Sequence, residues 1–257
     1  MPKAFTRAVS PKLSDCELTH LDRVPIDAAR AKAQHSAYEQ ALSDAGYEVI
    51  RLPDLPEHPD GVFVEDTALL LDGRAIILNP GVASRAAETS STASGLADHF
   101  PLHRLPAGHV DGGDVLRIGT TLYVGLSTRT DAEGIGALRR LAGTFGFNVV
   151  TAELAECLHL KTGATLAGAD DQGTPLLLHN PKAVDAAQFA GVRPVAVDPE
   201  EPAAGNCVRL FDRIILPAGN PKAAEKLRRL GLHVVEVDVS ELQKAEAGVT
   251  CMSLIAD

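Results

Sequence analysis

The sequence predicts an α/β protein of about five similar ββαβ units that close into a ring around a central site. Short polar landmarks recur at intervals of 45, 48, 47 and 45 residues. After the landmarks, two apolar runs separated by a turn recur, followed by an amphipathic stretch and a closing strand. The first unit lacks an opening strand, which the apolar residues at the chain's end can supply. Such a fixed period is typical of repeated supersecondary units.

The landmarks themselves carry chemistry. They are Asp66, Asp111, His159, Asn206 and Cys251. Each stands just before the first apolar run of a unit, so we expect all of them at equivalent ends. In other closed α/β architectures, functional residues gather at one end of the repeated strands. The spacing therefore predicts that these side chains meet.

The elements of a unit follow from local patterns. The Asp72-Gly73 pair between two apolar runs is the clearest hairpin turn. Residues 221–231 have apolar positions at helical spacing, with a proline at the start and a glycine at the end, which predicts a helix. The run 233–239 predicts a closing strand. Residues 252–257 are the candidate opening strand of the first unit, so we expect one catalytic domain over 1–257.

Composition excludes several classes of function. The chain has 24 Lys+Arg and 34 Asp+Glu, a net charge of −10, which disfavours nucleic-acid binding. No apolar run approaches the roughly 18 residues of a membrane span, and the N-terminus does not resemble a secretory signal. The four cysteines are widely spread and make no disulfide framework, so we expect a reducing, cytoplasmic location. The nine histidines show no zinc-binding spacing.

Cys251 and His159 can form a nucleophile–base pair, in which a thiolate attacks and an imidazole moves protons. Considered singly, a buried structural cysteine and a core histidine are equally ordinary interpretations. Asp111-Gly-Gly-Asp114 is more specific, because two glycines between acids in a strand approach predict a bulge or a close backbone contact. Because these motifs recur at one regular spacing, together they favour a catalytic site.

The acidic landmarks indicate the charge of the substrate. Carboxylates beside a buried thiol raise its pKa and weaken it as a nucleophile, whereas a bound cation reverses that effect. A guanidinium fits, because it is planar and donates several hydrogen bonds to carboxylates. On a strand, Phe63 would share a face with Glu65 and could pack beside the cation.

Several motifs resemble those of the dimethylarginine dimethylaminohydrolase family. They are FVEDTALLL, NPGVASR, VDGGDVLRIGTTLYVGLSTRTDAEG, CLHLKTG, AGNC and GVTCMSL, and the resemblance runs from about Leu18 to Leu254. It implies the pentein fold, a five-bladed α/β propeller. It also implies hydrolysis of asymmetric dimethylarginine and monomethylarginine to citrulline and dimethylamine or methylamine, without metal or organic cofactor.

The resemblance also assigns roles to residues. Cys251 would attack the guanidinium carbon, and His159 would protonate the leaving amine and then activate water. Asp111 completes this catalytic set and, with Asp66, would hold the guanidinium nitrogens. The implied substrate-binding set is Leu18, Asp60, Phe63, Glu65, Asp66, Arg85, Arg129 and Ala245.

Within that set, Arg85 and Arg129 would clamp the substrate's carboxylate, a bidentate task suited to arginine. The backbone carbonyls of Leu18, in a flexible loop, and Ala245 would meet the α-amine. Asp111 stands where many bacterial members carry a glutamate. Its side chain is one methylene shorter, so direct contact between Asp111 and the substrate is left open.

Other functions stay open at this stage. A pentein relative could act on arginine as a deiminase, or on citrulline. The chain lacks an inserted helical domain, which disfavours a typical arginine deiminase, and the clustered carboxylates favour a cation over neutral citrulline. A non-catalytic guanidine-binding protein is the third alternative. The expected partner is a small cationic amino acid, and a homodimer is left open beside a monomer.

Overall fold

Five three-stranded sheets make up the architecture, and each sheet repeats one topology. The computed structural model describes residues 1–155 and 157–256. In every sheet the central strand pairs antiparallel with one neighbour and parallel with the other. The strands, numbered β1 to β15 in chain order, are Lys3–Thr6, Glu48–Arg51, Ala68–Leu71, Arg74–Ile77, Leu102–Arg104, Val115–Ile118, Thr121–Gly125, Asn148–Ala152, Ala164–Ala169, Pro175–His179, Arg193–Ala196, Val208–Arg209, Arg213–Pro217, His233–Val237 and Leu254–Ala256. The expected fivefold repeat is confirmed.

The first and last strands close the ring. Strand β15 pairs antiparallel with β1, with Phe5 opposite Leu254 and Lys3 opposite Ala256, while β1 pairs parallel with β2. The first sheet therefore has the same order as the others, although its opening strand comes from the end of the chain. This pairing confirms the expectation that the apolar tail completes the first unit.

Helices cover the sheets and fill the connections between parallel strands. The α-helices, α1 to α6, are Ala28–Asp44, Glu88–Leu96, Ala132–Gly143, Leu160–Gly163, Pro221–Arg229 and Ser240–Gln243. Helix α1 begins at Asp27, whose carboxylate accepts hydrogen bonds from the N–H groups of Ala29 and Arg30, both at 3.0 Å. These bonds satisfy donors that a helix start otherwise leaves unpaired. The helix predicted over 221–231 is confirmed as α5, and Gly231 follows it at φ +82°.

One unit departs from the predicted pattern. The connection between β10 and β11 contains a 3₁₀ turn at Ala186–Gln188 where a helix was expected, so that expectation is wrong for this unit. Asp185 accepts from the N–H of Ala187, and the chain then extends at Phe189. The Phe189 ring packs 4.8 Å from that of Tyr123, so burial of this aromatic side chain ends the turn.

The landmarks lie in or directly beside short turns that precede the first strand of a sheet. These 3₁₀ or single-turn segments are Val64–Thr67, Gly112–Asp114, Leu160–Gly163, Pro202–Gly205 and Thr250–Met252. The strand considered for Phe63 and Glu65 does not form, because Val64–Thr67 is a 3₁₀ turn. His159 is the residue before the one-turn helix α4. Within the described ranges, no helix is long and apolar enough to span a bilayer.

Candidate active site

The turns bring most of the predicted site residues around one small cavity of about 20 Å³. This volume holds about one water molecule. Twelve residues line the cavity: Glu17, Asp60, Phe63, Asp66, Arg85, Arg129, Leu158, His159, Ala245, Glu246, Ala247 and Cys251. Eight of the eleven residues predicted from the sequence are among them. The other three, Leu18, Glu65 and Asp111, are not in this lining.

The nucleophile candidate Cys251 lies in the turn Thr250–Met252 with 9% of its surface exposed. The Gly248 N–H donates to its Sγ at 3.4 Å. Burial, together with the nearby carboxylates of Glu65 and Asp66, raises the pKa of the thiol to about 12. Without a bound cation, the thiol is therefore protonated at neutral pH.

The imidazole of His159 is buried beside carboxylates. Its Nε2 lies 3.1 Å from Asp111 Oδ2. Burial alone would lower the pKa of His159, but the charge of Asp66, the hydrogen bond to Asp111 and the charge of Asp114 outweigh it and raise the pKa to about 9. His159 is accordingly a cation at neutral pH and can donate a proton.

The Asp111-Gly-Gly-Asp114 motif forms a tight turn in close contact with the rest of the site. A Cβ atom on Gly112 would lie 1.9 Å from the Glu65 carbonyl oxygen. A Cβ atom on Gly113 would lie 2.6 Å from His159 Nδ1. The predicted close backbone contact is confirmed, although it occurs in a 3₁₀ turn and not in a strand bulge.

The two acids of this motif hold the loops around them. Asp111 Oδ1 accepts from the Gly81 N–H at 2.8 Å, so both of its oxygens are engaged. Asp114 accepts from the Leu160 N–H at 2.9 Å and from Ser127 Oγ at 2.6 Å. Because Leu160 follows His159 directly, Asp114 fixes the backbone that carries the imidazole.

Asp66 forms a buried ion pair with Arg85, whose Nη1 lies 2.6 Å from Asp66 Oδ2. Burial would raise the pKa of Asp66, but His159 and Arg85 lower it below its ordinary value. The other Arg85 nitrogens donate to the Glu88 carboxylate and to the carbonyl of Phe63. Arg85 thus orients Asp66, and its role as a carboxylate clamp stays a prediction.

A second ion pair lies on the other side of the thiol. Lys161 Nζ donates to Glu65 Oε1, and Thr250 Oγ1 donates to Glu65 Oε2 at 2.7 Å. Burial raises the pKa of Glu65, an effect that Lys161 and Thr250 oppose. The sequence reasoning missed Lys161 and Thr250 as site residues. Both lie within quoted motifs, but no local pattern shows that they meet Glu65.

The loop of residues 17–21 covers the cavity and is held by four side chains. The Glu17 N–H donates to Asp60 at 3.1 Å, and Ser84 Oγ donates to the Glu17 carboxylate at 2.7 Å. Arg129 Nη2 donates to Thr19 Oγ1 at 2.9 Å. Burial, partly opposed by Arg85, raises the pKa of Asp60 to about 6.

Glu246 provides the fourth attachment of this loop. Its carboxylate accepts from the backbone N–H groups of Thr19, His20 and Leu21. Glu246 has φ +60°, a left-handed conformation that side chains other than glycine rarely adopt. It directly follows Ala245, so the position of the loop and the position of the Ala245 carbonyl are coupled.

One group of side chains in the described ranges has the spacing of a metal site. Asp66, Asp111 and His159 each offer a ligand atom within 4.8 Å of the others. Arg85 already pairs with Asp66, and Asp111 already bonds to His159. A metal ion would therefore compete with both contacts. A planar guanidinium could instead donate hydrogen bonds to the same carboxylates.

Comparisons with known proteins agree with this geometry. No family model matches the chain. The dimethylarginine dimethylaminohydrolase of Pseudomonas aeruginosa is 37% identical over 231 residues, covering 89% of each protein. The enzyme of the same name from Streptomyces coelicolor is 36% identical over 260 residues, covering 98% of this chain and 96% of its own length.

Solved structures give the same result. The P. aeruginosa enzyme, as a Cys-to-Ser variant complexed with citrulline, superposes with a TM-score of 0.92 at 35% identity over 99% of both chains. A His-to-Gly dimethylarginine dimethylaminohydrolase bound as an adduct with S-methyl-L-thiocitrulline gives 0.90 at 35% identity, over 99% of this chain and 100% of the other. The N-terminal domain of the arginine dihydrolase ArgZ gives 0.81 at 20% identity over 99% and 98% of the two chains, which supports the fold alone. The fold is the pentein propeller, and the chain belongs to the dimethylarginine dimethylaminohydrolase family.

Proposed function

We propose that this protein hydrolyses Nω-methylated arginines, asymmetric dimethylarginine and monomethylarginine, to citrulline and dimethylamine or methylamine. The observation that carries the proposal is the shared cavity of Cys251, His159 and Asp66, with Asp111 bonded to the imidazole. It combines a thiol, a protonated imidazole and carboxylates, which a thiol attack on a guanidinium carbon requires.

The substrate's charge activates the nucleophile. In the empty site, burial and then Glu65 and Asp66 hold the pKa of the Cys251 thiol near 12. A guanidinium between these carboxylates and the sulfur offsets their charge and lowers the thiol's pKa, because an adjacent cation favours the thiolate. The enzyme thus makes its thiolate when the cation arrives, and the proton of the thiol passes to solvent. Without the cation, the buried thiol stays protonated and unreactive.

The first chemical step forms a bond between Cys251 Sγ and the guanidinium carbon. The tetrahedral intermediate then collapses, and the bond from this carbon to the methylated nitrogen breaks. His159, a cation below its pKa of about 9, gives the departing amine its proton. Dimethylamine leaves, and a thiouronium on Cys251 remains beside a neutral His159.

The second step uses the same imidazole in the opposite direction. Neutral His159 accepts a proton from a water molecule as the water oxygen attacks the thiouronium carbon. The bond from carbon to Cys251 Sγ then breaks as the new hydroxyl loses its proton to solvent, where the released amine takes it up. This step releases citrulline and regenerates the thiolate. The sum is methylated arginine plus water giving citrulline plus amine. Asp111 keeps the imidazole oriented through the 3.1 Å contact in both steps.

The amino-acid end of the substrate meets the loop side of the cavity. Arg129 and Arg85, which pairs with Asp66, supply cationic nitrogens for the substrate's carboxylate. The backbone carbonyls of Leu18 and Ala245 accept hydrogen bonds from the substrate's α-amine. The cavity of about 20 Å³ is far smaller than an amino acid. The 17–21 loop must therefore move away from Arg129 when the substrate binds and leaves.

An assay with three substrates tests the proposal. The protein is incubated separately with asymmetric dimethylarginine, arginine and citrulline, and the release of citrulline, ornithine, ammonia and dimethylamine is followed. We expect dimethylarginine to give citrulline and dimethylamine in equal amounts. Formation of ornithine from citrulline, with dimethylarginine unchanged, would show a different pentein hydrolase.

We also place the activity in the cytoplasm. All four cysteines, at positions within the described ranges, are unpaired thiols. A reducing compartment keeps thiols in this state. A homodimer stays a prediction, which light scattering of the purified protein tests directly.

A further inference from the structure

The side chain of Asn206 joins the two loops that carry Cys251 and His159. Its Nδ2 donates to the Lys161 carbonyl at 2.8 Å and to Thr250 Oγ1 at 3.0 Å, and its Oδ1 accepts from the Thr250 N–H at 3.1 Å. Lys161 lies two residues after His159, and Thr250 immediately precedes Cys251. Asn206 is 3% exposed, so water does not replace these contacts readily.

These bonds belong to a closed ring of four residues. Because Thr250 Oγ1 accepts from Asn206, its own proton points to Glu65 Oε2 at 2.7 Å. The other Glu65 oxygen accepts from Lys161 Nζ, and the Lys161 carbonyl returns to Asn206. Reversing the amide would place its oxygen against the Lys161 carbonyl, so the ring defines one orientation of Asn206.

Asn206 also supports the backbone that faces the sulfur. A Cβ atom on Gly248 would lie 2.4 Å from both Cγ and Oδ1 of Asn206, so the glycine backbone packs directly on the amide. The N–H of this same glycine donates to Cys251 Sγ. Loss of the amide would therefore free the Gly248 N–H to move away from the thiol.

We propose that Asn206 is a positioning residue that sets the placement of the Cys251 thiol relative to the His159 imidazole. Asn206 does not line the cavity of Cys251 and His159 but a neighbouring cavity, which shares Leu158, Glu246 and Ala247 with it. The proposed role rests on the bonds from Asn206 to the two loops. As a statement about turnover of methylated arginine, the proposal rests on the function proposed above. The proposed effect of Asn206 on the positions of the Cys251 and His159 side chains does not depend on that function.

This role predicts an unequal effect on kcat and KM. Small displacements of reacting groups reduce rates strongly, by on the order of 100-fold for about 1 Å. Within the described residues, Asn206 forms no hydrogen bond with the groups expected to bind the amino-acid end, which are Asp60, Arg129 and the 17–21 loop. Removing the amide should therefore lower kcat and change KM little.

The test compares two variants of Asn206 with a matched control. Asn206→Ala removes the amide, and Asn206→Asp keeps its shape but loses both N–H donors. Asn220→Ala is the control, because Asn220 is also a buried asparagine, 5% exposed, whose Nδ2 donates to the Pro217 carbonyl at 2.8 Å. Loss of either buried amide should lower the melting temperature by a few degrees.

In steady-state assays with dimethylarginine, both Asn206 variants should lose about 100-fold in kcat. Asn220→Ala should keep the wild-type kcat. Alkylation of Cys251 by iodoacetamide, followed by mass spectrometry of its peptide between pH 7 and 10, gives a second readout. Because the pKa of the Cys251 thiol, about 12, lies above this range, the readout is the rate at each pH. Alkylation of Asn206→Ala should be slower than that of the wild type throughout, because the Gly248 N–H no longer supports the thiolate, whereas Asn220→Ala should match the wild type.

Two results would overturn the proposal: a kcat of Asn206→Ala equal to that of Asn220→Ala, or an alkylation profile identical to that of the wild type. Failure of the proposed function would look different, because the wild-type protein itself would leave dimethylarginine unchanged. The alkylation measurement needs no substrate and would still decide the role of Asn206 in that case.

Discussion

His159 Nε2 lies 3.1 Å from Asp111 Oδ2, and this buried contact couples the protein's stability to pH. Burial alone would lower the pKa of His159, but Asp66 and Asp111 outweigh this effect and raise the pKa from its ordinary 6.5 to about 9. A raised folded-state pKa means that the folded protein binds the proton more tightly than the unfolded chain does. The resulting stabilisation is complete below pH 6.5 and is lost as pH rises through about 9.

Replacing the imidazole tests this linkage. We expect His159→Gln to lower the free energy of unfolding most at pH 6, relative to the wild type, and least at pH 9.5. Urea unfolding of both proteins across this range measures the difference. A difference that is constant from pH 6 to pH 9.5 would show that His159 does not titrate between the two pKa values.

The backbone of Gly113 permits the imidazole to occupy its place. A Cβ atom there would lie 2.6 Å from Nδ1 and 2.9 Å from Cγ of His159. Gly113→Ala should displace the ring and lower kcat on the order of 100-fold. Gly143→Ala is the control, because Gly143 ends helix α3 and a Cβ atom there meets nothing within 4 Å.

We expect Gly143→Ala to keep the wild-type kcat and to gain about 0.5–1 kcal/mol in the free energy of unfolding, since alanine favours a helix over glycine. Steady-state kinetics and denaturant unfolding of the two variants measure both quantities. A wild-type kcat for Gly113→Ala would mean that the imidazole can leave this position without loss of activity.

Glu246 holds the 17–21 loop over the cavity through three consecutive backbone N–H groups. Glu246→Gly removes the carboxylate and suits the φ of +60°. We expect the loop to open and KM for dimethylarginine to rise roughly tenfold, the effect of losing about 1.4 kcal/mol of binding. Hydrogen exchange of residues 17–21 should quicken in parallel.

Asp72→Gly is the matched control, because Asp72 is the other described non-glycine residue with positive φ, at +44°, and it is exposed on a hairpin turn. Its replacement relieves the same type of backbone conformation away from the site, so KM should stay unchanged. If Glu246→Gly also kept the wild-type KM and exchange rates, the carboxylate would not hold the loop.

His159→Gly should separate the two chemical steps. S-methyl-L-thiocitrulline loses methanethiolate, which departs without protonation, so the variant should still form an adduct at Cys251. With no imidazole to activate water, the adduct should persist, whereas dimethylarginine should react very slowly. Mass spectrometry of the intact protein follows the adduct. Equal dimethylarginine turnover by the variant and the wild type would remove His159 from its acid role.

The sequence could predict the ring because each unit carries a polar landmark at a nearly constant interval. The pairing of Phe5 with Leu254 follows from that period, since the first unit lacks one strand and the tail supplies it. The turns that carry Asp66 and His159 escaped prediction. A single turn spans too few residues to show a hydrophobic period, and the flanking apolar residues resemble a strand.

The contacts between units could not be predicted from the sequence either. Lys161 meets Glu65 across 96 positions of the chain, and Asn206 meets Thr250 across 44. Residue types and spacing identify which units converge but not which side chains pair. Arg85 illustrates the limit, because neither its 4% exposure nor its bond to Asp66 could be read from the sequence.

The most direct test of the central claim is to quench the reaction of the wild-type protein with asymmetric dimethylarginine in acid and analyse the peptide that contains Cys251. We predict a thiouronium derived from the substrate on Cys251, with citrulline and dimethylamine accumulating during turnover. A Cys251→Ser variant should show neither adduct nor turnover and should keep the wild-type fold by circular dichroism. Substantial citrulline formation by Cys251→Ser would contradict the account.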